Sequence, residues 1–132
     1  DLGDIVKVGQ PLVHIGDEEQ KYLLAQNEAQ LRSSLERLGL TKETDRVQDV
    51  KTTPDVRRAE AELFEAEQRY KRTRDLRDQG IGPQADLDQA QARFNAAKAT
   101  YDATVNQTRN LIAEVERFKA VVDLQRKKLR DT

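Results

Sequence analysis

The chain has 132 residues, of which 36% are apolar and another 36% are Asp, Glu, Lys or Arg, with 23 basic against 24 acidic side chains and no cysteine or methionine. That length suits one domain, but so polar a composition predicts a narrow apolar seam of the coiled-coil kind rather than a thick core. It excludes disulfides, cysteine-held metals and thiol chemistry, the even spread of charge offers no basic face for nucleic acid, and no run reaches the ~20 apolar residues of a membrane span.

Residues 1–16, DLGDIVKVGQPLVHIG, differ from everything after them. Ile5, Val6, Val8, Leu12, Val13 and Ile15 are β-formers set between Gly3, Gly9, Pro11 and Gly16. They predict two short strands, 4–7 and 11–15, joined by a turn at Val8-Gly9-Gln10. Two strands alone are marginal, so partner strands are expected from further sequence or from another copy. The opening lacks the basic, apolar, small-residue order of a signal peptide, and the chain is expected to be a piece of a longer protein.

From Asp17 the pattern changes, with Asp17, Glu18 and Glu19 placed where acidic side chains favour a helix N-terminus. Leu24, Leu31 and Leu38 recur at heptad spacing with Leu35 beside them, which predicts a helix over 18–38 that Gly39 ends. Residues 39–54, GLTKETDRVQDVKTTP, lose the heptad and form an insert. This insert is either a disordered bulge or an extra contact point with a partner or a neighbouring copy. Thr53 is expected to cap a second helix, with Pro54 at its first position. Over 55–79 the stripe resumes as Val56, Ala59, Leu63, Ala66, Tyr70 and Thr73.

In RDQGIGPQADLDQA, Gly80 suits the left-handed closing residue of a helix and Pro83 the first turn of the next, so 80–83 is expected to be a tight tip. The run 84–131 carries the cleanest heptad. Leu87, Phe94, Tyr101, Thr108, Val115, Val122 and Leu129 hold one position, and Ala90, Ala97, Thr104, Leu111 and Phe118 hold the other. The ascending pieces 18–38 and 55–79 together nearly equal the descending run in length, which predicts an antiparallel hairpin roughly 70 Å long at 1.5 Å per residue.

No catalytic or metal-binding constellation emerges. His14 is the only histidine and is expected to be a structural strand residue. Carboxylate pairs such as Asp86/Asp88 and Glu60/Glu62 lack an apolar cleft to shift their ionisation. Tyr70 and Tyr101 sit at seam positions and are expected to pack across the hairpin, and acidic neighbours dilute the basic pair Arg57 and Arg58.

Strands leading into a long helical hairpin are the order of parts in the periplasmic adaptor, or membrane fusion protein, family, and this chain resembles that family. GDIVKVGQPLVHI is similar to the family's G-D-x-V-x-x-G-Q-x-L through Gly3, Asp4, Val6, Gly9, Gln10 and Leu12. The likeness continues through PDVRRAEAELFEAEQRYKRTRDLRDQG and ADLDQAQARFNAAKATYDA. It implies a mostly α chain in which residues 1–17 form the first half of a split lipoyl-like β-sandwich and residues 18–132 a long antiparallel coiled-coil hairpin.

The resemblance also implies a role without catalysis or cofactor. Family adaptors link an inner-membrane transporter, ABC-type or proton-driven, to an outer-membrane channel, and export drugs, small molecules or proteins. They act in the periplasm as trimers or hexamers, and an anchor outside the present sequence would hold this one to the inner membrane. Lipoyl and biotinyl carriers share the first strands, but Lys7 falls within a strand and Lys21 within a helix, so no attachment lysine is expected. The absence of methionine argues against the metal sites of copper or silver export adaptors.

Adaptors of this family dock on the channel through the hairpin tip, with an arginine, a leucine four residues on and a serine seven beyond that. Arg72 and Leu76 match the first two, while Pro83 stands where the serine would be and offers no hydroxyl. The implied channel-contact set is Arg72, Leu76, Gly80 and Pro83. The plainer alternative makes Arg72 a surface charge and Leu76 a seam residue. At the level of the whole chain the alternative is a structural coiled-coil spacer, from which a half β-sandwich in residues 1–16 would distinguish an adaptor.

Overall fold

The structure is a computed structural model that describes the backbone of residues 2–131 and the side chains from residue 16 to residue 131. Three helices follow in order: α1 (Leu2–Arg37), α2 (Pro54–Asp78) and α3 (Gln84–Asp131), with a single 3-10 turn, Val50–Thr52, in the connection before α2. The chain is therefore mostly α, and no strand occurs among the described residues.

This corrects the expectation for the first residues. Residues 4–7 and 11–15 are not strands of a split lipoyl-like sandwich but belong to α1, which begins at Leu2 rather than at residue 18. Two short strands without partners leave most of their backbone N–H and C=O groups unmatched, whereas a helix closes the same bonds within the segment. The helix forms in spite of Gly3, Gly9 and Pro11, and Pro11 has no N–H to offer the Lys7 carbonyl. The side chains of Lys7 and His14 lie outside the described residues.

α2 and α3 run antiparallel on either side of the tip, with the Tyr70 and Phe94 rings stacked at 5.6 Å. α1 lies along the other half of α3, where Asn27 Nδ2 donates to Gln125 Oε1 at 3.0 Å. The heptad stripe of α3 faces inward throughout. Ala90, Thr108, Val115 and Val122 are buried, and Leu87, Phe94, Tyr101, Leu111, Phe118 and Leu129 are partly covered. The core is thickest beneath α1, where Leu31, Leu35, Leu38, Val115 and Val122 form one cluster. Each such buried aliphatic side chain contributes roughly 2–3 kcal/mol relative to an exposed one.

Both ascending helices end in the same motif. At the end of α1 the Leu40 N–H donates to the Leu35 carbonyl at 2.8 Å and the Gly39 N–H to the Glu36 carbonyl at 2.9 Å, with Gly39 at φ 78°. These paired bonds satisfy two carbonyls that a helix end leaves open. A Cβ on Gly39 would stand 3.2 Å from Pro54 Cδ, so both conformation and space disfavour a side chain there.

The insert is folded onto α1 and α3. It runs along α3 as far as Arg126 and returns to Pro54. Leu40 and Val47 pack on the core cluster. Lys119 Nζ donates to the Asp45 carbonyl at 3.2 Å. Asp45 Oδ2 accepts the Lys42 N–H at 3.0 Å, and Asp49 Oδ1 accepts the Lys51 N–H at 3.0 Å, which turns the chain at both places. Thr53 precedes Pro54, but its hydroxyl does not cap α2. It donates backward to the Val50 carbonyl at 2.6 Å, while Pro54 takes the first helical position, where no N–H is needed.

Arg126 joins three parts of the chain. Its Nε donates to Glu28 of α1 at 3.2 Å, its Nη1 reaches both carboxylate oxygens of Glu43 of the insert at 3.1 Å, and Asp123 of α3 lies at 3.6 Å. Partial burial works against the guanidinium charge, but hydrogen bonds to Glu28 and Glu43 and the charges of both outweigh it, so its pKa is raised.

Candidate docking site at the hairpin tip

The tip repeats the chemistry of the α1 end with a different outcome. The Ile81 N–H donates to the Leu76 carbonyl at 2.8 Å and the Gly80 N–H to the Arg77 carbonyl at 2.9 Å, with Gly80 at φ 76° and Gly82 at φ 86°. Such a motif brings the residue after the glycine toward the helix's last turn, usually as an apolar contact. At Gly39 that pair is Leu35 and Leu40, and Leu35 is only 5% exposed. At Gly80 it is Leu76 and Ile81, which are 46% and 55% exposed. Among the described residues nothing beyond the hairpin end covers them.

Arg77 fixes the turn. Its Nε donates to Gln84 Oε1 at 3.1 Å and its Nη1 to the Gly82 carbonyl at 3.3 Å, while Gln84 Nε2 donates onward to Asp88 Oδ1 at 3.1 Å. Pro83 immediately precedes α3, where its fixed φ suits a helix start, and its carbonyl accepts the Asp86 N–H at 3.2 Å. Asp86 in the first turn adds a negative charge at the positive end of α3.

Between the two helices, one face of the tip is an open groove of about 360 Å³. Leu76, Ile81, Gly82, Pro83 and Ala90 give it an apolar upper end, and Arg69 and Arg93 stand at the lower end on facing helices. Thr73, Asp86 and Gln89 line it between. Below the groove the seam is stiffened by the stacked Tyr70 and Phe94, with the Arg74 guanidinium 5.6 Å from the Tyr70 ring and Lys98 Nζ 4.8 Å from the Phe94 ring.

Of the four residues that the sequence singled out, Leu76 and Pro83 meet in this groove and Gly80 makes the turn that brings them together. Arg72 is exposed on α2, one helical turn before Leu76, and does not line the groove. Ile81, Arg77, Arg69 and Arg93 were not anticipated. Ile81 carried a signal, an apolar residue directly after a helix-closing glycine. The other three carried none, because their partners are set by the turn and by the pairing of α2 with α3.

Among the described residues no group of three or more His, Asp or Glu side chains is placed to hold a metal, and no helix is long and apolar enough to cross a membrane. Compared with family models, with curated proteins and with solved structures, the chain matches none.

Proposed function

We propose that this chain is the hairpin of a periplasmic adaptor subunit, which links an inner-membrane transporter to an outer-membrane channel by docking its tip on the channel. One observation carries this reading: at the far end of a stiff hairpin, a tightly hydrogen-bonded turn holds Leu76 and Ile81 half exposed beside Pro83. Tyr22, Phe64 and Leu124 are exposed as much, but at the tip Leu76, Ile81 and Pro83 line one groove, and a contiguous apolar surface of this kind suits a partner. The 48 residues of α3 give a rod of roughly 70 Å, long enough to carry the tip well away from a membrane. Copies set side by side, three or six, would form the walls of a conduit, with the charged outer faces in lateral contact.

A structural coiled-coil spacer is the second reading, and the helical course of α1 from Leu2 favours it, since the strands that would have distinguished an adaptor do not occur among the described residues. The two readings differ at the tip, which in a spacer has no obligatory partner. The test is a cysteine at Gln79, exposed at the end of α2, in the otherwise cysteine-free chain within the full-length protein. Crosslinking to an outer-membrane channel in cells, lost on Leu76→Glu, is the expected result. A folded, exported protein that gives no crosslink from Gln79 would leave the spacer.

A further inference from the structure

The groove pairs an apolar end with two guanidinium groups that form no ion pair among the described residues. Arg69 on α2 and Arg93 on α3 line it from opposite walls, and among the described residues neither forms an ion pair. Among the described residues Asp86 is the only carboxylate lining the groove, and it too makes no ion pair with either arginine. Most of the described basic side chains are likewise unpaired, but these two arginines stand on facing helices and line one groove with a single carboxylate. Two like charges facing one space repel each other, and an anion between them removes that repulsion.

We propose that the tip groove recognises a protein turn that presents a carboxylate beside an aliphatic side chain, with Arg69 and Arg93 taking the carboxylate and Leu76, Ile81 and Pro83 the aliphatic group. The inference rests on the tip being a docking surface and adds which chemistry docks there. Arginine suits the task because its fork of donors binds a carboxylate in fixed geometry. An extended polyanion fits poorly. The arginines of the tip are interspersed with Asp75, Asp78, Asp86 and Asp88 rather than forming a continuous basic stripe, so a single acidic group suits the groove better than a row of phosphates.

The experiment is a titration of the isotopically labelled chain at low ionic strength with two peptides, acetyl-Gly-Asp-Leu-Gly-amide and its Asn-Leu counterpart, followed by amide chemical shifts. The expected result is a set of shifts confined to the tip, at Leu76, Ile81, Gly82 and Ala90, with the Asp-Leu peptide bound roughly fivefold more tightly. The double variant Arg69→Gln, Arg93→Gln should abolish that preference while its helix content is unchanged. Equal binding of the two peptides, shifts elsewhere on the hairpin, or a preference that survives the double variant would each overturn the proposal. The outcome is separable from that of the Gln79 crosslink. A crosslink without peptide discrimination removes the arginine pair and keeps the adaptor, whereas discrimination without a crosslink keeps the acidic-turn specificity and removes the channel.

Discussion

Arg126 Nη1 reaches both carboxylate oxygens of Glu43 at 3.1 Å across 83 positions of sequence, and so ties the insert to the far part of α3. Glu28 and Asp123 share the same guanidinium. Because the arginine is 42% exposed, solvent screens each pair, and the whole cluster is worth about 1 kcal/mol rather than several. Arg126→Gln is expected to lower unfolding free energy by about that amount in low salt, and the difference should shrink in high salt. Urea titrations at two ionic strengths would check it. The raised pKa of Arg126 means that its contribution is fully present below the ordinary arginine value and is lost only as pH rises through the folded one. At neutral pH salt is therefore the lever.

Leu35 and Leu76 occupy the same place in two copies of one helix-ending motif, but only Leu35 is covered. Leu35→Ala should cost about 2–4 kcal/mol, because it removes a buried side chain and leaves a cavity in the core cluster. Leu76→Ala should cost well under about 1 kcal/mol. Thermal unfolding followed by circular dichroism separates them, and equal losses would mean that the tip is covered in solution.

Gly39 and Gly80 both have positive φ, yet only Gly39 is crowded. Gly80→Ala meets nothing within 4 Å and should cost about 1 kcal/mol from the left-handed conformation alone. Gly39→Ala adds the contact with Pro54 at 3.2 Å and should cost appreciably more. Denaturant midpoints of the two variants give the comparison directly.

Arg77 holds the turn without contributing to the core, being exposed on α2. Arg77→Ala is therefore expected to leave global stability within about 0.5 kcal/mol of the parent. Hydrogen exchange at the Ile81 amide, which donates to Leu76, should quicken several-fold as the tip opens locally. Unchanged exchange at Ile81 would show that the glycine-closed turn is rigid without Arg77.

Helix content and the inward-facing stripe of α3 were legible in the sequence, because heptad spacing, a helix-closing glycine and a proline at a helix start each act within a few residues. Gly39, Pro54, Gly80 and Pro83 all mark helix boundaries by such local chemistry. What residues 2–16 do was not decided locally. Their β-formers predict strands, but the backbone closes its own hydrogen bonds as the start of α1. Thr53 looked like a cap, but its hydroxyl found the nearer Val50 carbonyl. The insert carries no periodicity that foretells its packing on the core cluster. Its position depends on Arg126, Lys119 and the core cluster, all distant in sequence. The tip divides the same way. Sequence alone placed Leu76 and Pro83 on either side of a turn, but only the pairing of α2 with α3 left Leu76 and Ile81 uncovered and brought Arg69 and Arg93 to one groove, because exposure and charge proximity are properties of facing helices and not of either helix alone.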